Sequence, residues 1–530
     1  MKKEVITPAE HKQIIKEFDL VSTWKLKADA VVIGSGAGGA VAAAELSKSG
    51  WKVVLIEEGG YFNPGNFSND EFISQARLYR DAGYVLTENQ TASIVQGRTL
   101  GGSTTINWQT SLYPPDYVTN EWRDRFGLPG YGRSEEMAAF IEEVHARVGV
   151  HEVPPRLINH NNEVLMRGGK AIGLHPEVLK NNSKGCQGLG RCGLGCPINA
   201  KQSMFLTYIP DAIAAGAIVV TNMRATKISD GKVKKVFAEF TPDPYEAAPG
   251  IVIEEMEIEA PVVILSAGAL EGPALLQRSG LGNDMVGKNL KLHPTSTIFA
   301  KFKTDIDMWH GPPQSVVIKD GHNQRNTGYG FWLEVAPFRP TLTSAIMPFY
   351  GSRQFKHIKD YKKLSAGIVL VRDGADGQTA GKVEWSWGKR KVHYEMTPTD
   401  GKNMLLGLKM LAEVQTAAGA TELIFPFGDM QEEFKTGPGA NFDWVLQKTF
   451  EAGRLSVGSA HPHGSIQASS DPKTGAINPD FELYGHKNIF VMDACWIPTG
   501  LSVNPQITTM SSSLRAARKL AGQKSSRVST

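Results

Sequence analysis

Gly34, Gly36 and Gly39, in the run V-V-I-G-S-G-A-G-G from Val31, have the spacing of a turn that binds a dinucleotide. The first glycine makes the tight turn. The second lets the backbone approach a pyrophosphate, and the third lets a helix pack on a strand. The helix expected from Ala40 to Ser49, stopped by Gly50, would aim its unpaired N–H groups at the phosphates. Glu57 follows the hydrophobic run Val53 to Ile56, at the distance where a carboxylate accepts hydrogen bonds from a ribose. A glycine-rich turn without a ligand would explain the glycines alone. It does not explain strand, turn, helix, strand and acid in that order.

A second group of reactive residues is Cys186, Cys192 and Cys196, in G-C-Q-G-L-G-R-C-G-L-G-C-P. Three thiolates in such a loop could hold an iron–sulfur cluster wrapped by backbone N–H groups. Zinc would want a fourth ligand, and none is obvious. A tight structural loop with reduced thiols accounts for the same residues and is the preferred reading. Cys495 reads as a packing residue.

These residues need a large scaffold. At 530 residues the chain is expected to form two or more domains, and 41% hydrophobic with 21% charged content suits a soluble globular protein. The net charge of +3 is spread out, with no basic block of the kind that binds nucleic acid. No apolar run approaches a membrane span, and no signal-peptide core precedes the first strand. A cytoplasmic protein is expected, with peripheral membrane association left open. Four cysteines do not make a disulfide framework. Residues 1–28 read as a leader with a helical stretch from Ala9 to Phe18, and Tyr61 to Gln96 as an irregular lid. Buried strands are expected at Ile218 to Val220, Val262 to Leu265 and Ile489 to Met492. Helices are expected at Glu135 to Val148, Met404 to Ala418 and Thr508 to Leu520. Alternation at Lys382 to Trp387 and Lys391 to Tyr394 predicts antiparallel strands. The tail, Gln523 to Thr530, is expected to be disordered.

Three further segments carry a family likeness. Gly97 to Asn107, G-R-T-L-G-G-S-T-T-I-N, resembles the first signature of the glucose–methanol–choline (GMC) oxidoreductases, with Ser111 a mild departure just beyond it. Gly268 to Gly282 resembles the second, departing at Gly272 where Ser or Thr is usual. S-A-H-P-H-G from Ser459 and V-M-D-A-C-W-I-P-T-G-L-S-V-N-P-Q from Val491 are similar to the C-terminal motifs. The resemblance implies an α/β fold: a discontinuous Rossmann-like FAD-binding domain (29–118, 186–296 and 456–522) with an inserted antiparallel-sheet α+β substrate domain (119–185 and 297–455). It implies FAD held by Gly34, Gly36, Gly39, Glu57, Gly101, Gly102, Ser103, Asn107, Asp493, Ala494 and Pro505. The first signature lacks the histidine that attaches flavin covalently in some members, so noncovalent FAD is expected.

By the same resemblance His461 is the active-site base and Asn504 its partner, a pairing similar to cholesterol and choline oxidases. A neutral imidazole suits removal of a hydroxyl proton while hydride leaves the carbon. The competing reading gives that work to His463, and His293 reads as structural. The three-cysteine segment resembles one that ligates a [3Fe–4S] cluster in bacterial FAD-dependent glucose and fructose dehydrogenases. Cysteine-rich loops followed by A-K-x-S, as at Ala200 to Ser203, also occur in long-chain alcohol oxidases and cholesterol-oxidase-like members. Segments from Gly311 and Gly328 look like long-chain alcohol oxidases, and Phe331, Trp332, Phe349 and Tyr350 would suit either an apolar tunnel or an ordinary core. The expected activity is oxidation of a hydrophobic primary alcohol or sterol, with dioxygen or a quinone or protein carrier as acceptor. A lyase on the same fold and an FAD/iron–sulfur electron-transfer subunit are the alternatives.

Overall fold

The computed structural model describes residues 14–15, 23–243, 245, 255–377, 381–429, 433–437 and 439–528. Six strands form one parallel sheet, in the order Ile14–Ile15, Ile218–Val220, Val53–Ile56, Ala30–Ile33, Val262–Leu265 and Ile489–Val491. The four inner segments are runs of Val, Ile, Leu and Ala, as strands covered on both faces require, and nearly every residue in them is buried. Helices Gly39–Lys48 and Gln506–Ala521 pack together beside this sheet. A Cβ at Gly39 would come within 2.0 Å of the carbonyl oxygen of Gly34, and Gly34 itself has φ +99°. Only glycine serves at either position.

The strands come from segments hundreds of residues apart. Between them the chain builds a ten-stranded sheet whose centre is Val457–Ser459, Thr295–Lys301, Leu364–Val371, Phe331–Val335 and Val316–Ile318. Its pairings are antiparallel except that of Val457–Ser459 with Ala92–Ile94. Helix Pro398–Ala417 covers it with Met404, Leu405, Leu408 and Leu411. This mixed α/β architecture is the Rossmann-like unit plus a second sheet that the motifs imply.

Several local expectations are corrected. Helix Pro398–Ala417 begins six residues before the expected start, because Thr397 and Asp400 form a capping box and Pro398 fits the first turn. The segment 61–96 is less irregular than expected: it contains helix Glu71–Leu78, capped by Asp70, and strands Val85–Leu86 and Ala92–Ile94. Gly381–Ser386 and Lys389–Tyr394 are antiparallel as expected, but form a separate hairpin. The helix expected at Ala9 to Phe18 falls mostly outside the described residues, and Ile14–Ile15 is a strand on the sheet edge. Thr23–Lys27, in the presumed leader, pairs with Glu255–Ala260 in a four-stranded sheet. The tail carries a short helix, Lys524–Val528, in which Arg527 binds Glu482 and Asn488.

Candidate active site

The loops at the C-terminal ends of the parallel strands meet the large sheet around a cavity of about 740 Å³. This is where open α/β sheets place ligands, and the size is that of a cofactor or drug-sized site. Gly34, Gly36, Glu57, Gly102, Ser103, Asn107, Asp493, Ala494 and Pro505 line it, together with His461 and Asn504. Gly39 and Gly101 stand behind the lining. Gly39 packs the helix on its strand. Gly101 has φ +90° and donates its N–H to Ser35 Oγ at 2.9 Å, fixing one glycine turn against the other.

Both acids are held by main-chain donors. Glu57 accepts from Ser35 N–H at 3.0 Å, Ser35 Oγ–H at 2.6 Å and Gly59 N–H at 2.9 Å. Asp493 accepts from Gly268 N–H at 2.7 Å and Cys495 N–H at 2.8 Å. Burial pushes both carboxyls up, against these hydrogen bonds. Carboxylate oxygens have two lone pairs each, so acceptor capacity remains for ribose hydroxyls. Helix Gln506–Ala521 starts at the cavity with no side-chain cap and no acid in its first turn, so its N–H groups favour negative charge there. A Cβ at Gly36 would meet no neighbour within 4 Å, which leaves its backbone open on that side. These residues fit the diphosphate, ribose and anionic ring edge of FAD.

His461 follows strand Val457–Ser459, and its Nε2 lies 3.3 Å from Asn504 Nδ2. Its Nδ1 lies 3.0 Å from Nδ1 of His293. Burial, then the neighbouring His463, pushes His461 down to about 3, so its imidazole is neutral. His463 faces away: its ring nitrogens meet the carbonyls of His461 (2.7 Å) and Thr499 (3.2 Å), and it does not line the cavity. His293, read from sequence as structural, is therefore in direct contact with the histidine that faces the cavity. Its L-H-P setting carries no signal of that, because the contact depends on the pairing of Lys291 with His463. Gln506 was also missed. It accepts from Asn107 Nδ2 at 2.8 Å and donates to Thr110 O at 2.8 Å.

Trp108, Phe338, Leu342, Ile346, Met347 and Leu370 add apolar side chains to the lining. The aromatics singled out from sequence are elsewhere. Phe331, Trp332 and Phe349 are buried outside the lining, and Tyr350 is 89% exposed. Strand Phe331–Val335 is buried on both faces, so its aromatics serve the core.

The cysteine loop does not fit a cluster. Among the described residues, no three His, Cys, Asp or Glu side chains are placed to hold a metal. Cys192 Sγ instead accepts from Gln109 Nε2 at 2.9 Å, and burial pushes its thiol up to about 12, opposite to what a thiolate ligand needs. Cys196 Sγ accepts from Ala200 N–H at 3.2 Å. The iron–sulfur expectation is accordingly dropped.

The GMC oxidoreductase family models match residues 75–295 and 378–512, and an FAD binding domain model matches 29–66. An uncharacterised GMC-type oxidoreductase of Mycobacterium tuberculosis is 30% identical over 504 residues, covering 93% of this chain and 75% of the relative. The chain belongs to the GMC oxidoreductase family. A long-chain-alcohol oxidase of Arabidopsis thaliana is 30% identical over 522 residues, 94% of this GMC oxidoreductase and 68% of the relative. Among solved structures, pyridoxine 4-oxidase from Mesorbium loti has a TM-score of 0.66 at 16% identity, covering 93% of this chain and 98% of the other. Aspergillus oryzae formate oxidase has a TM-score of 0.68 at 15% identity, with 95% and 99% covered. This GMC flavoprotein is an oxidoreductase acting on CH–OH donors. Among its described residues, no helix is long and apolar enough to cross a membrane.

Proposed function

We propose that this GMC oxidoreductase oxidises a hydrophobic alcohol, a long-chain primary alcohol or a sterol, with His461 as the base. The observation that carries this reading is a cavity whose lining holds both the neutral His461–Asn504 pair and the apolar side chains of Phe338, Leu342, Ile346, Met347 and Leu370. The similarity to long-chain-alcohol oxidases supports a long apolar substrate, and dioxygen as acceptor.

FAD, when bound, supplies the hydride acceptor. The chain's own residues handle the proton. Asn504 Nδ2–H can donate only to a lone pair, so Nε2 of His461 is the unprotonated nitrogen. A substrate hydroxyl entering between the two would take the place of Asn504 at that nitrogen, donating to Nε2 and accepting from Asn504 Nδ2–H. The apolar wall of Leu342, Ile346, Met347 and Leu370 excludes water and favours a hydrocarbon tail, at about 0.8 kcal/mol per buried methylene.

The test is anaerobic mixing of the FAD-loaded enzyme with primary alcohols from ethanol to hexadecanol, a sterol and glucose. Bleaching of the flavin bands that steepens with chain length, or with the sterol, is the expected result. Bleaching by glucose alone would overturn the substrate class. Flavin that no alcohol reduces would overturn the oxidation reading and favour a lyase.

A further inference from the structure

We infer that His293 is a positioning residue for the reaction, accepting the Nδ1 proton of His461 and so keeping the Nε2 lone pair of His461 turned toward the substrate. The inference rests on the proposed role of His461 as base.

The hydrogens follow from the heavy atoms. With the Asn504 amide facing Nδ2 toward His461 Nε2 at 3.3 Å, the amide nitrogen donates and does not accept, and Asn504 Oδ1 is buried without a partner among the described residues. The single proton of a neutral His461 is therefore on Nδ1. That nitrogen lies 3.0 Å from His293 Nδ1, which must then be a lone pair, placing the proton of His293 on its own Nε2. Ring centroids are 5.1 Å apart with planes 28° from parallel. With the two Nδ1 atoms so close, the rings meet edge to edge, as an in-plane N–H···N bond requires. The chain of donors runs one way: Asn504, His461, His293. Burial lowers both histidines, so neither is charged at neutral pH.

The position of His293 is enforced. Its φ is +51°, in the left-handed region that few residues other than glycine occupy and that histidine enters more readily than most. Asp373 holds it there, accepting from the N–H of Leu292 at 2.8 Å and of His293 at 3.2 Å, and from Tyr394 Oη–H at 3.0 Å. Strain held by surrounding bonds is characteristic of functional sites. On the far side, the Nε2–H that this tautomer gives His293 is buried without a hydrogen-bond partner among the described residues, a cost that the bond to His461 has to outweigh. During oxidation the hydroxyl proton adds to His461 Nε2. The resulting imidazolium keeps its Nδ1–H bonded to His293, the arrangement in which a third group orients a base.

The test uses the FAD-loaded full chain with 15N-labelled histidine, in wild type, His293→Ala and His293→Asn, with His461→Gln to assign the signal. Asparagine places Oδ1 where histidine has Nδ1 and tolerates positive φ, so it restores the acceptor. Wild type and His293→Asn should show His461 protonated at Nδ1 and bare at Nε2. In His293→Ala the Nδ1 proton loses its acceptor, so the proton should move to Nε2 as the Asn504 amide turns to present Oδ1, and anaerobic flavin reduction should slow by roughly a hundredfold. His293→Asn should keep the rate within a few-fold. An Nε2-protonated His461 in wild type would overturn the inference, as would an unchanged tautomer and rate in His293→Ala. If His293→Ala does not fold, His293→Asn decides: a folded, flavin-loaded variant as slow as His461→Gln would also overturn it. If no alcohol reduces the wild-type flavin, the functional reading fails while the tautomer still decides the role of His293.

Discussion

The ammonium of Lys201 donates to the carbonyl of Cys192 at 2.7 Å, and also to the carbonyls of Thr105 (2.6 Å) and Asn107 (3.0 Å). One buried cation thus ties the cysteine loop to the segment that carries Gly102, Ser103 and Asn107 along the cavity. Burial pushes Lys201 down to about 8, and the three carbonyls offset that cost. In Lys201→Met the carbonyls lose their donor, at about 1–3 kcal/mol for each group left unsatisfied. The variant should melt several degrees lower and release FAD more readily. Thermal melts with and without added FAD, and flavin content after gel filtration, check both effects.

The cysteine loop makes a second prediction. Cys192 and Cys495 are buried, and burial raises both thiols, whereas Cys186 and Cys196 are partly exposed. Thiolates, not thiols, attack disulfide reagents. Ellman's reagent should titrate at most the thiols of Cys186 and Cys196 in the native protein, and all four cysteines after denaturation. Cys192→Ser should keep its FAD and show no loss of iron–sulfur absorbance. Fast reaction of Cys192, identified by mass mapping, would show the loop to be open.

The edge strand Ile14–Ile15 reads in sequence as part of a helix, but the other five of the six strands of the parallel sheet were legible because they are short hydrophobic runs, as burial on both faces demands. The same is true of Gly34, Gly36 and Glu57, whose spacing follows from local geometry. Most of the remaining site is non-local. His293 and His461 are 168 residues apart in sequence and meet through one pairing of extended segments. The apolar wall from helix Pro340–Ile346 could not be told from core, because Leu342 and Ile346 are ordinary hydrophobic residues until the cavity is seen. Spacing alone also overstated the cysteines: the motif counts sulfurs along the chain, but a cluster needs them to converge.

Glu334 supplies a pH-dependent prediction. It is buried in strand Phe331–Val335, receives Gln314 Nε2–H at 2.5 Å, and is pushed up to about 8 by burial. Below its ordinary value of 4.5 both folded and unfolded chains hold the proton, so Glu334 adds no pH dependence there. Between 4.5 and about 8 the unfolded chain loses the proton while the folded one keeps it, so stability falls as pH rises. Glu334→Gln, which still accepts from Gln314, should raise the melting temperature relative to wild type at pH 8 and lose that advantage near pH 4.5. An equal difference at both pH values would mean that Glu334 is ionised in the folded protein.

His461 has the opposite sign. Its folded value, about 3, lies below the ordinary 6.5, so above pH 6.5 neither state is protonated and its contribution to stability is fully present. As pH falls from 6.5 toward 3 the unfolded chain takes up the proton first, and stability is lost. His293 and His463 are lowered too and add in the same direction. Because Glu334 acts in the opposite direction over this window, the comparison decides: on going from pH 7 to pH 5 the urea midpoint should drop further in wild type than in His461→Gln. For the reaction, the same depression keeps the imidazole in its basic form where a free histidine would be protonated. The rate of flavin reduction by a good alcohol should stay level from pH 8 to pH 6, and His461→Ala should lower it by roughly a hundredfold while leaving the protein yellow. A rate that halves near pH 6.5 would assign His461 an ordinary, solvent-coupled imidazole. An unchanged rate in His461→Ala would remove it as the base.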